Sequence, residues 1–145
     1  MSDKTATVHW EGKGKAGVGK ISTETAAIKA YPYGFASRFE DDVKGTNPEE
    51  LLAAAHAACF TMAFSFACDG AGFATESIDT KAAVRLVAKD GGFAISTITL
   101  ELKAKVPGID EAKFQEIAAG AKAGCPLSKA LASVPTINMT ATLIS

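Results

Sequence analysis

The segment that begins at Asn47 constrains the fold of this chain more than any other feature. Asn47 can cap a helix, Pro48 suits the first helical position, and Glu50 completes a capping box. From there to about Cys68 the segment is rich in Ala and Phe and carries almost no charge. A helix that is apolar nearly all round is a buried helix. We therefore expect a central buried helix with sheets wrapped around it.

The other segments predict strands before and after this helix in the sequence, and two further helices near the C-terminus. Alternating and capping residues predict strands at 4–10, 18–24, 77–89, 93–105 and 136–144, and helices at 111–122 and 126–132. Asp90-Gly91-Gly92 reads as a hairpin turn, and residues 26–40 read as short extended pieces. This order predicts an α+β fold with antiparallel sheets, in a single domain that covers residues 1–145.

Composition and charge argue against several partners and locations. The chain has 145 residues, of which 48% are hydrophobic and 21% charged, as in a globular domain with one core. Its net charge of −1 gives no electrostatic reason to expect nucleic acid or an anionic membrane as a partner. The N-terminus is polar, and no run approaches the roughly 18 apolar residues of a spanning helix. A cytoplasmic location is therefore expected.

The three cysteines are expected to be reduced, because cytosolic proteins rarely keep structural disulfides. Persistent cytosolic thiols are buried, metal-bound or used in chemistry. Cys68 follows Cys59 by about 13 Å along one straight helix, which is too far for a disulfide between them. We therefore interpret Cys68 as structural.

Cys59 lies on an apolar stripe of the predicted helix, together with Leu52, Ala55, Met62 and Phe66. Burial makes a thiol inert, so chemistry at Cys59 requires a cation from elsewhere. Arg38 is the candidate, because a fixed guanidinium can hold a thiolate and orient an oxygen leaving group. Its simpler role is a surface salt bridge. His56, one turn before Cys59, is either half of a Cys–His nucleophile pair or a polar core residue with a backbone partner.

Cys125 has the more favourable local sequence for reactivity. It lies at or near the N-cap of a helix that starts at Pro126, where free N–H groups and the helix dipole favour a thiolate. The simpler alternative is a small capping residue that follows Gly124. Local sequence thus favours Cys125 over Cys59 as the low-pKa thiol, and it leaves open which cysteine attacks a substrate.

Two motifs carry a resemblance to a known family. The first is Thr46-Asn47-Pro48-Glu49-Glu50-Leu51 followed by Ala54-Ala55-His56-Ala57-Ala58-Cys59-Phe60, and the second runs from Ala121-Lys122 through Cys125-Pro126-Leu127-Ser128. Together they resemble the OsmC/Ohr family, which is named for osmotic inducibility and organic hydroperoxide resistance. The resemblance covers essentially the whole chain. Four segments look more like the OsmC branch than the Ohr branch, namely His9-Trp10-Glu11-Gly12, Pro32-Tyr33-Gly34-Phe35, Arg38-Phe39-Glu40 and Val106-Pro107-Gly108-Ile109-Asp110.

The resemblance implies a thiol-dependent peroxidase of stress defence that reduces organic hydroperoxides, and hydrogen peroxide less well. It implies that Cys59 is the peroxidatic thiol and Cys125 the resolving thiol. Arg38 would activate Cys59, and Glu49 would fix Arg38. The resemblance implies no metal, haem or flavin, and the expected partners are a hydroperoxide and an external dithiol such as a lipoyl protein or thioredoxin. The implied assembly is an intertwined homodimer with its helices inside and its sheets outside.

The position of Glu49 raises a geometric question. In one straight helix Glu49 lies about 15 Å from Cys59 along the axis. Arg38 could hardly bridge that distance, so either the helix is broken or Glu49 reaches the site from the partner subunit. We hypothesise that the partner subunit supplies it.

Three other classes of function follow from the residues alone. A metal-binding protein would use ligands among Cys59, Cys125, His56 and His9, although their spacing matches no compact zinc pattern. A non-catalytic stress or binding protein would simply bury its thiols. An acyl-transfer enzyme with a Cys–His pair is the weakest alternative, since no oxyanion-hole motif is visible.

Overall fold

The computed structural model of the chain describes residues 1–40 and 44–145. Contacts between Cα atoms group the chain into two compact units, Met1–Leu51 and Leu52–Ser145. The strands are β1 Ala6–Glu11, β2 Val18–Thr23, β3 Tyr31–Gly34, β4 Ser77–Lys89, β5 Gly92–Lys105 and β6 Thr136–Ile144. The helices are α1 Phe35–Phe39, α2 Pro48–Gly70, α3 Glu111–Gly124 and α4 Pro126–Ala130, with a 3-10 turn at Gly14–Ala16. The α+β class is confirmed, and a single domain over residues 1–145 stays a prediction.

The first unit contains a three-stranded antiparallel sheet in the order β1-β2-β3. A Cβ atom on Gly17 would collide with the ring of Trp10, and one on Gly19 would collide with the ring of Tyr33. The two rings meet edge to face with their centroids 5.6 Å apart. The glycines therefore let two aromatic rings lie directly against the backbone of this sheet.

The prediction of extended pieces over residues 26–40 is only partly right. Tyr31–Gly34 forms β3, but Phe35–Phe39 forms the short helix α1. The Ser37 hydroxyl accepts a hydrogen bond from the Gly34 N–H (3.0 Å) and donates one to the Thr46 carbonyl (2.8 Å). The second bond joins residues beyond the reach of local sequence patterns, which explains why the helix was not predicted.

The start of α2 agrees with the predicted cap but not with the capping box. The Glu50 N–H donates to Asn47 Oδ1 at 2.8 Å, and Pro48 is the first helical residue. The Glu50 carboxylate does not complete a capping box, because it accepts its hydrogen bond from the Thr46 hydroxyl at 2.6 Å. From Pro48 the helix continues unbroken to Gly70.

The second unit contains a sheet in the order β4-β5-β6. The hairpin of β4 and β5 is antiparallel as predicted, and it turns through Asp90 and Gly91, which both have positive φ. The expectation of an antiparallel sheet is wrong for β6, which pairs parallel to β5. The physical reason is the connection, since α3 and α4 form a crossover that returns the chain in the direction of β5.

The core of the second unit is built from α2, β5 and α3. It includes Phe60, Phe64, Ile98, Leu100, Leu102 and Phe114. From α2 only one stripe is buried, namely His56, Phe60, Phe64 and Cys68. Met62 and Phe66, on the stripe expected to surround Cys59, are 59% and 69% exposed. The helix is therefore not buried all round within one chain, although its composition is apolar on every face.

The length of α2 also corrects the membrane argument. In the described residues, this helix of 23 residues is long and apolar enough to cross a membrane by length and composition alone. The expectation that no segment qualifies is therefore wrong. One such helix is weak evidence for a membrane span, and one stripe of this helix packs into the core of the second unit.

Candidate active site

Cys125 is the N-cap of α4, as predicted. Its Sγ accepts a hydrogen bond from the Ser128 N–H at 3.3 Å and lies 3.2 Å from the Ser128 hydroxyl. Its own N–H donates to the Ala121 carbonyl, which closes α3. The side chain is fully buried. The junction of two helices thus holds this sulfur in one position, with donors directed at it.

The fold brings the thiols of Cys59 and Cys125 together. Cys59 packs against the core cluster that contains Cys125, and each thiol shifts the pKa of the other, as the nearby Leu127 N–H does for both. Cys59 is half-buried on α2, next to the core residue Phe60. We therefore expect these two thiols to form a disulfide after a small shift.

The pKa values of the two thiols move in opposite directions. Burial has the largest effect and raises the pKa of Cys59. The Leu127 N–H lowers this pKa, and the neighbouring Cys125, as a hydrogen-bond partner and as a charge, raises it again by smaller amounts. Burial alone raises the pKa of Cys125, but its bonds to Ser128, Cys59 and Leu127 outweigh burial and lower it. Cys125 is therefore the more acidic thiol, in agreement with the local sequence argument.

His56 has neither of its two expected partners in the described residues. Its Nε2 lies 2.8 Å from the Ser128 hydroxyl, and its Nδ1 has no hydrogen-bond partner there. The side chain is fully buried, and burial lowers the pKa of the imidazole. His56 is therefore neither half of a Cys59–His56 pair nor a core histidine bonded to the backbone, because α4 presents Ser128 to it.

Cys68 lies in the core, in line with the structural role predicted for it. It is fully buried in the core cluster, and burial raises the pKa of its thiol. No metal centre accompanies these residues, because no three His, Cys, Asp or Glu side chains in residues 1–40 and 44–145 cluster to hold an ion.

Arg38 and Glu49 form a bidentate ion pair within the first unit. Arg38 Nη2 lies 2.7 Å from Glu49 Oε1, and Arg38 Nε lies 3.2 Å from both carboxylate oxygens. The Glu49 side chain is 11% exposed and that of Arg38 is 36% exposed. The guanidinium also lies over the Phe39 ring, 5.2 Å from its centroid. Glu49 therefore fixes the direction of Arg38.

The continuity of α2 decides between the two sequence hypotheses for Glu49. The helix runs unbroken from Pro48 to Gly70, so Glu49 and Cys59 are about 15 Å apart along its axis. A broken helix is thus excluded. Supply of Glu49 by the partner subunit stays a prediction.

Sequence reasoning missed Ser128 and the N–H of Leu127 as parts of the site. The signal was present, because Ser128 is the third residue after the predicted N-cap Cys125, where its N–H and hydroxyl can both reach the capping side chain. Sequence could not show that the hydroxyl also meets His56, since 72 positions separate them.

Comparisons with known proteins identify the family of this chain. A family model described as OsmC-like protein matches residues 40–140. The chain is 51% identical to peroxiredoxin OsmC of Escherichia coli K12 over 135 residues, which cover 93% of this chain and 94% of that protein. It is 40% identical over 89 residues to an organic hydroperoxide resistance protein of Xanthomonas axonopodis pv. citri, and the match covers 59% of each.

The fold is also similar to a solved structure of this kind. The crystal structure of the organic hydroperoxide resistance protein OhrB of Bacillus subtilis matches with a TM-score of 0.68 at 28% identity, covering 97% of this chain and 98% of that chain. The predicted OsmC-like fold is thereby confirmed.

Proposed function

Because this chain belongs to the OsmC-like protein family, we propose that it is a thiol-dependent peroxidase that reduces organic hydroperoxides and, more weakly, hydrogen peroxide. The match to peroxiredoxin OsmC is longer and closer than the match to the organic hydroperoxide resistance protein, which confirms the OsmC branch. The chain is accordingly a peroxiredoxin-type hydroperoxide reductase. The observation that carries the mechanism is that Cys59 packs against the core cluster that contains Cys125, where each thiol shifts the pKa of the other.

In the proposed cycle the Cys59 thiolate attacks the distal oxygen of the hydroperoxide. The O–O bond breaks, the alcohol leaves after taking up a proton, and Cys59 becomes a sulfenic acid. The Cys125 thiolate then attacks the Cys59 sulfur, the S–O bond breaks, and the hydroxide leaves as water after protonation. An external dithiol, such as a lipoyl protein or thioredoxin, reduces the resulting disulfide.

Attack by Cys59 requires a cation, because its surroundings in one chain raise the pKa of its thiol. The Arg38–Glu49 pair provides a guanidinium of fixed direction, which can favour the thiolate and bind the departing oxygen. We propose that the pair of the partner subunit acts on Cys59, since α2 separates Glu49 from Cys59 of the same chain. Each site then needs two chains.

The exposed side of α2 supports the homodimer that this requires. Met62 and Phe66 are 59% and 69% exposed on a helix with almost no charge on this face. A second copy of the chain that covered this face would bury it, with helices inside and sheets outside. We propose a cytoplasmic homodimer with no nucleic acid or membrane partner, in line with a net charge of −1.

Intact mass after addition of one equivalent of an organic hydroperoxide tests the proposal. The wild type should lose two hydrogens through the Cys59–Cys125 disulfide. The Cys125→Ser variant should instead gain one oxygen at Cys59. An unchanged mass in the wild type would contradict the proposed peroxidase, and a gain of oxygen without a disulfide would contradict the role of Cys125.

A further inference from the structure

A buried chain of hydrogen-bonding groups joins His56, Ser128 and Cys125. His56 Nε2 lies 2.8 Å from Ser128 Oγ, which in turn lies 3.2 Å from Cys125 Sγ. His56 and Cys125 are fully buried, and Ser128 is 8% exposed. Because bulk water has almost no access to these groups, the three side chains form their hydrogen bonds with one another.

The unpartnered nitrogen of His56 decides which group donates and which accepts in these hydrogen bonds. Burial lowers the pKa of His56, so the ring is neutral and carries one N–H. Nδ1 has no hydrogen-bond partner in the described residues. A buried N–H without an acceptor costs more free energy than a buried nitrogen acceptor without a donor. The hydrogen therefore belongs on Nε2, which has a partner. His56 Nε2–H therefore donates to the Ser128 hydroxyl oxygen.

The hydroxyl hydrogen of Ser128 is then available to Cys125. The Ser128 N–H already donates to the same sulfur at 3.3 Å. Two donors from one residue, one of them held in place by a buried imidazole, favour the thiolate of Cys125 over its thiol. The lowered pKa of Cys125 agrees, because the bonds from Ser128 are the largest contributions that oppose burial.

We propose that Ser128 and His56 serve the disulfide-forming step. The Ser128 hydroxyl donates to the attacking Cys125 thiolate, and His56 is a positioning residue that keeps this hydroxyl directed at the sulfur. The inference rests on the proposed peroxidase function, in which Cys125 attacks the sulfenic acid of Cys59. The electron pair of the thiolate forms the S–S bond, and the departing hydroxide takes its proton from solvent. Ser128 keeps its own hydrogen, so the pair supplies orientation and charge stabilisation.

This role matters because the sulfenic acid has a competing fate. A second hydroperoxide converts it to sulfinic acid, which a dithiol donor does not reduce. A lowered pKa increases the thiolate fraction of Cys125, so a thiol that packs near Cys59 closes the disulfide faster and leaves less time for a second oxidation. Loss of the Ser128 hydroxyl should therefore increase overoxidation of Cys59.

The first test is a titration of the unreacted protein, which needs no hydroperoxide. In a Cys59→Ser background, the ultraviolet absorbance of the Cys125 thiolate is followed against pH for Ser128→Ala and His56→Phe. Both should raise the midpoint by about one pH unit, which is tenfold less thiolate near neutral pH. Ser128→Thr, which keeps a hydroxyl, and His56→Gln, which keeps an N–H donor, should return the midpoint toward the parent. An unmoved midpoint in folded Ser128→Ala or in folded His56→Phe would overturn the inference.

The second test is kinetic and uses the otherwise wild-type chain. After one equivalent of an organic hydroperoxide, intact mass against time separates sulfenic acid, disulfide and sulfinic acid. Ser128→Ala should slow disulfide closure about tenfold and raise the sulfinic fraction. The Ser128→Ala, His56→Phe double variant should be no slower than Ser128→Ala, because His56 acts only through Ser128. Additive losses would overturn the inference. A wild type that is not oxidised at all would contradict the peroxidase proposal but leave the titration result standing.

Discussion

Arg38 holds Glu49 at two points, with Nη2 2.7 Å from Oε1 and Nε 3.2 Å from both carboxylate oxygens. Such a planar fork fixes where the guanidinium points, whereas an ammonium group is a point charge on a flexible stem. Arg38→Lys keeps the positive charge and removes the fork. We expect the second-order rate constant for an organic hydroperoxide to fall at least about tenfold, measured by loss of hydroperoxide under excess dithiol.

A matched control is available in the second unit. Lys105 Nζ lies 3.1 Å from Glu76 Oε1 in an ion pair. The Lys105 side chain is 40% exposed, which is close to the 36% of Arg38. Lys105→Gln breaks this pair and should leave the rate constant unchanged. A loss of similar size in both variants would mean that Arg38→Lys acts through general destabilisation.

Supply of the Arg38–Glu49 pair across the dimer predicts which mixed dimers are active. In a dimer of one Glu49→Ala chain and one Cys59→Ser chain, the remaining Cys59 would meet the intact Glu49 of its partner. One of the two sites should therefore recover, giving about half the wild-type rate per dimer. Activity in neither site would contradict supply across the dimer.

The control is the mixed dimer that carries both substitutions on one chain. A chain that carries both Glu49→Ala and Cys59→Ser, paired with a wild-type chain, leaves the remaining Cys59 facing a partner without Glu49. This dimer should be as slow as the Glu49→Ala homodimer. Half the wild-type rate in this dimer would show that each Glu49 serves the Cys59 of its own chain.

The buried imidazole of His56 predicts a loss of stability in mild acid. Burial lowers the pKa of His56 from its ordinary value of 6.5, so the unfolded chain binds a proton before the folded chain does. The contribution is thus present above about pH 6.5 and is lost as the pH falls through the lower folded pKa. The free energy of unfolding, from denaturant titrations at several pH values, should fall less steeply below this pH for His56→Gln than for the wild type. Equal slopes would mean that His56 has the same pKa in the folded and the unfolded chain.

The sequence predicted the site wherever its signals were local. Asn47 caps α2 and Cys125 caps α4, and both positions follow from residues within one turn of the cap. The relative acidity of Cys125 follows from the same local geometry. Arg38 was proposed because Cys59 needs a cation, and the resemblance to the family added Glu49 as its partner, since their ion pair has no local signature.

The remaining features depend on contacts between distant parts of the chain. The parallel direction of β6 depends on how α3 and α4 pack, and the partner of His56 lies 72 positions away. The exposed face of α2 could not be predicted from composition, because all of its faces are apolar and packing selects which one the chain buries. Periodicity has no asymmetry to detect in such a helix.

Substitution of glycine by alanine should change the free energy of unfolding in opposite directions at two positions. Gly19 faces the Tyr33 ring, and a Cβ atom there would overlap it. Gly120 lies in α3 with open space where a Cβ would be. Gly19→Ala should lower the free energy of unfolding by about 1–3 kcal/mol through overpacking. Gly120→Ala should raise it by about 0.5–1 kcal/mol by reducing the freedom of the unfolded chain. Denaturant titrations of both variants check the pair, and a stabilising Gly19→Ala would mean that the Tyr33 ring moves away at little cost.

Cys68 should contribute to stability and not to peroxidase chemistry. Its side chain is fully buried in the core of the second unit, and burial raises the pKa of its thiol. Cys68→Ser places a hydroxyl in this apolar core and should lower the free energy of unfolding by about 1–3 kcal/mol. Cys68→Ala leaves only a small cavity and should retain the wild-type rate per folded molecule, measured by loss of an organic hydroperoxide. If folded Cys68→Ala reduced hydroperoxide more slowly than the wild type, Cys68 would take part in the redox cycle, and the two-thiol mechanism would need a third sulfur.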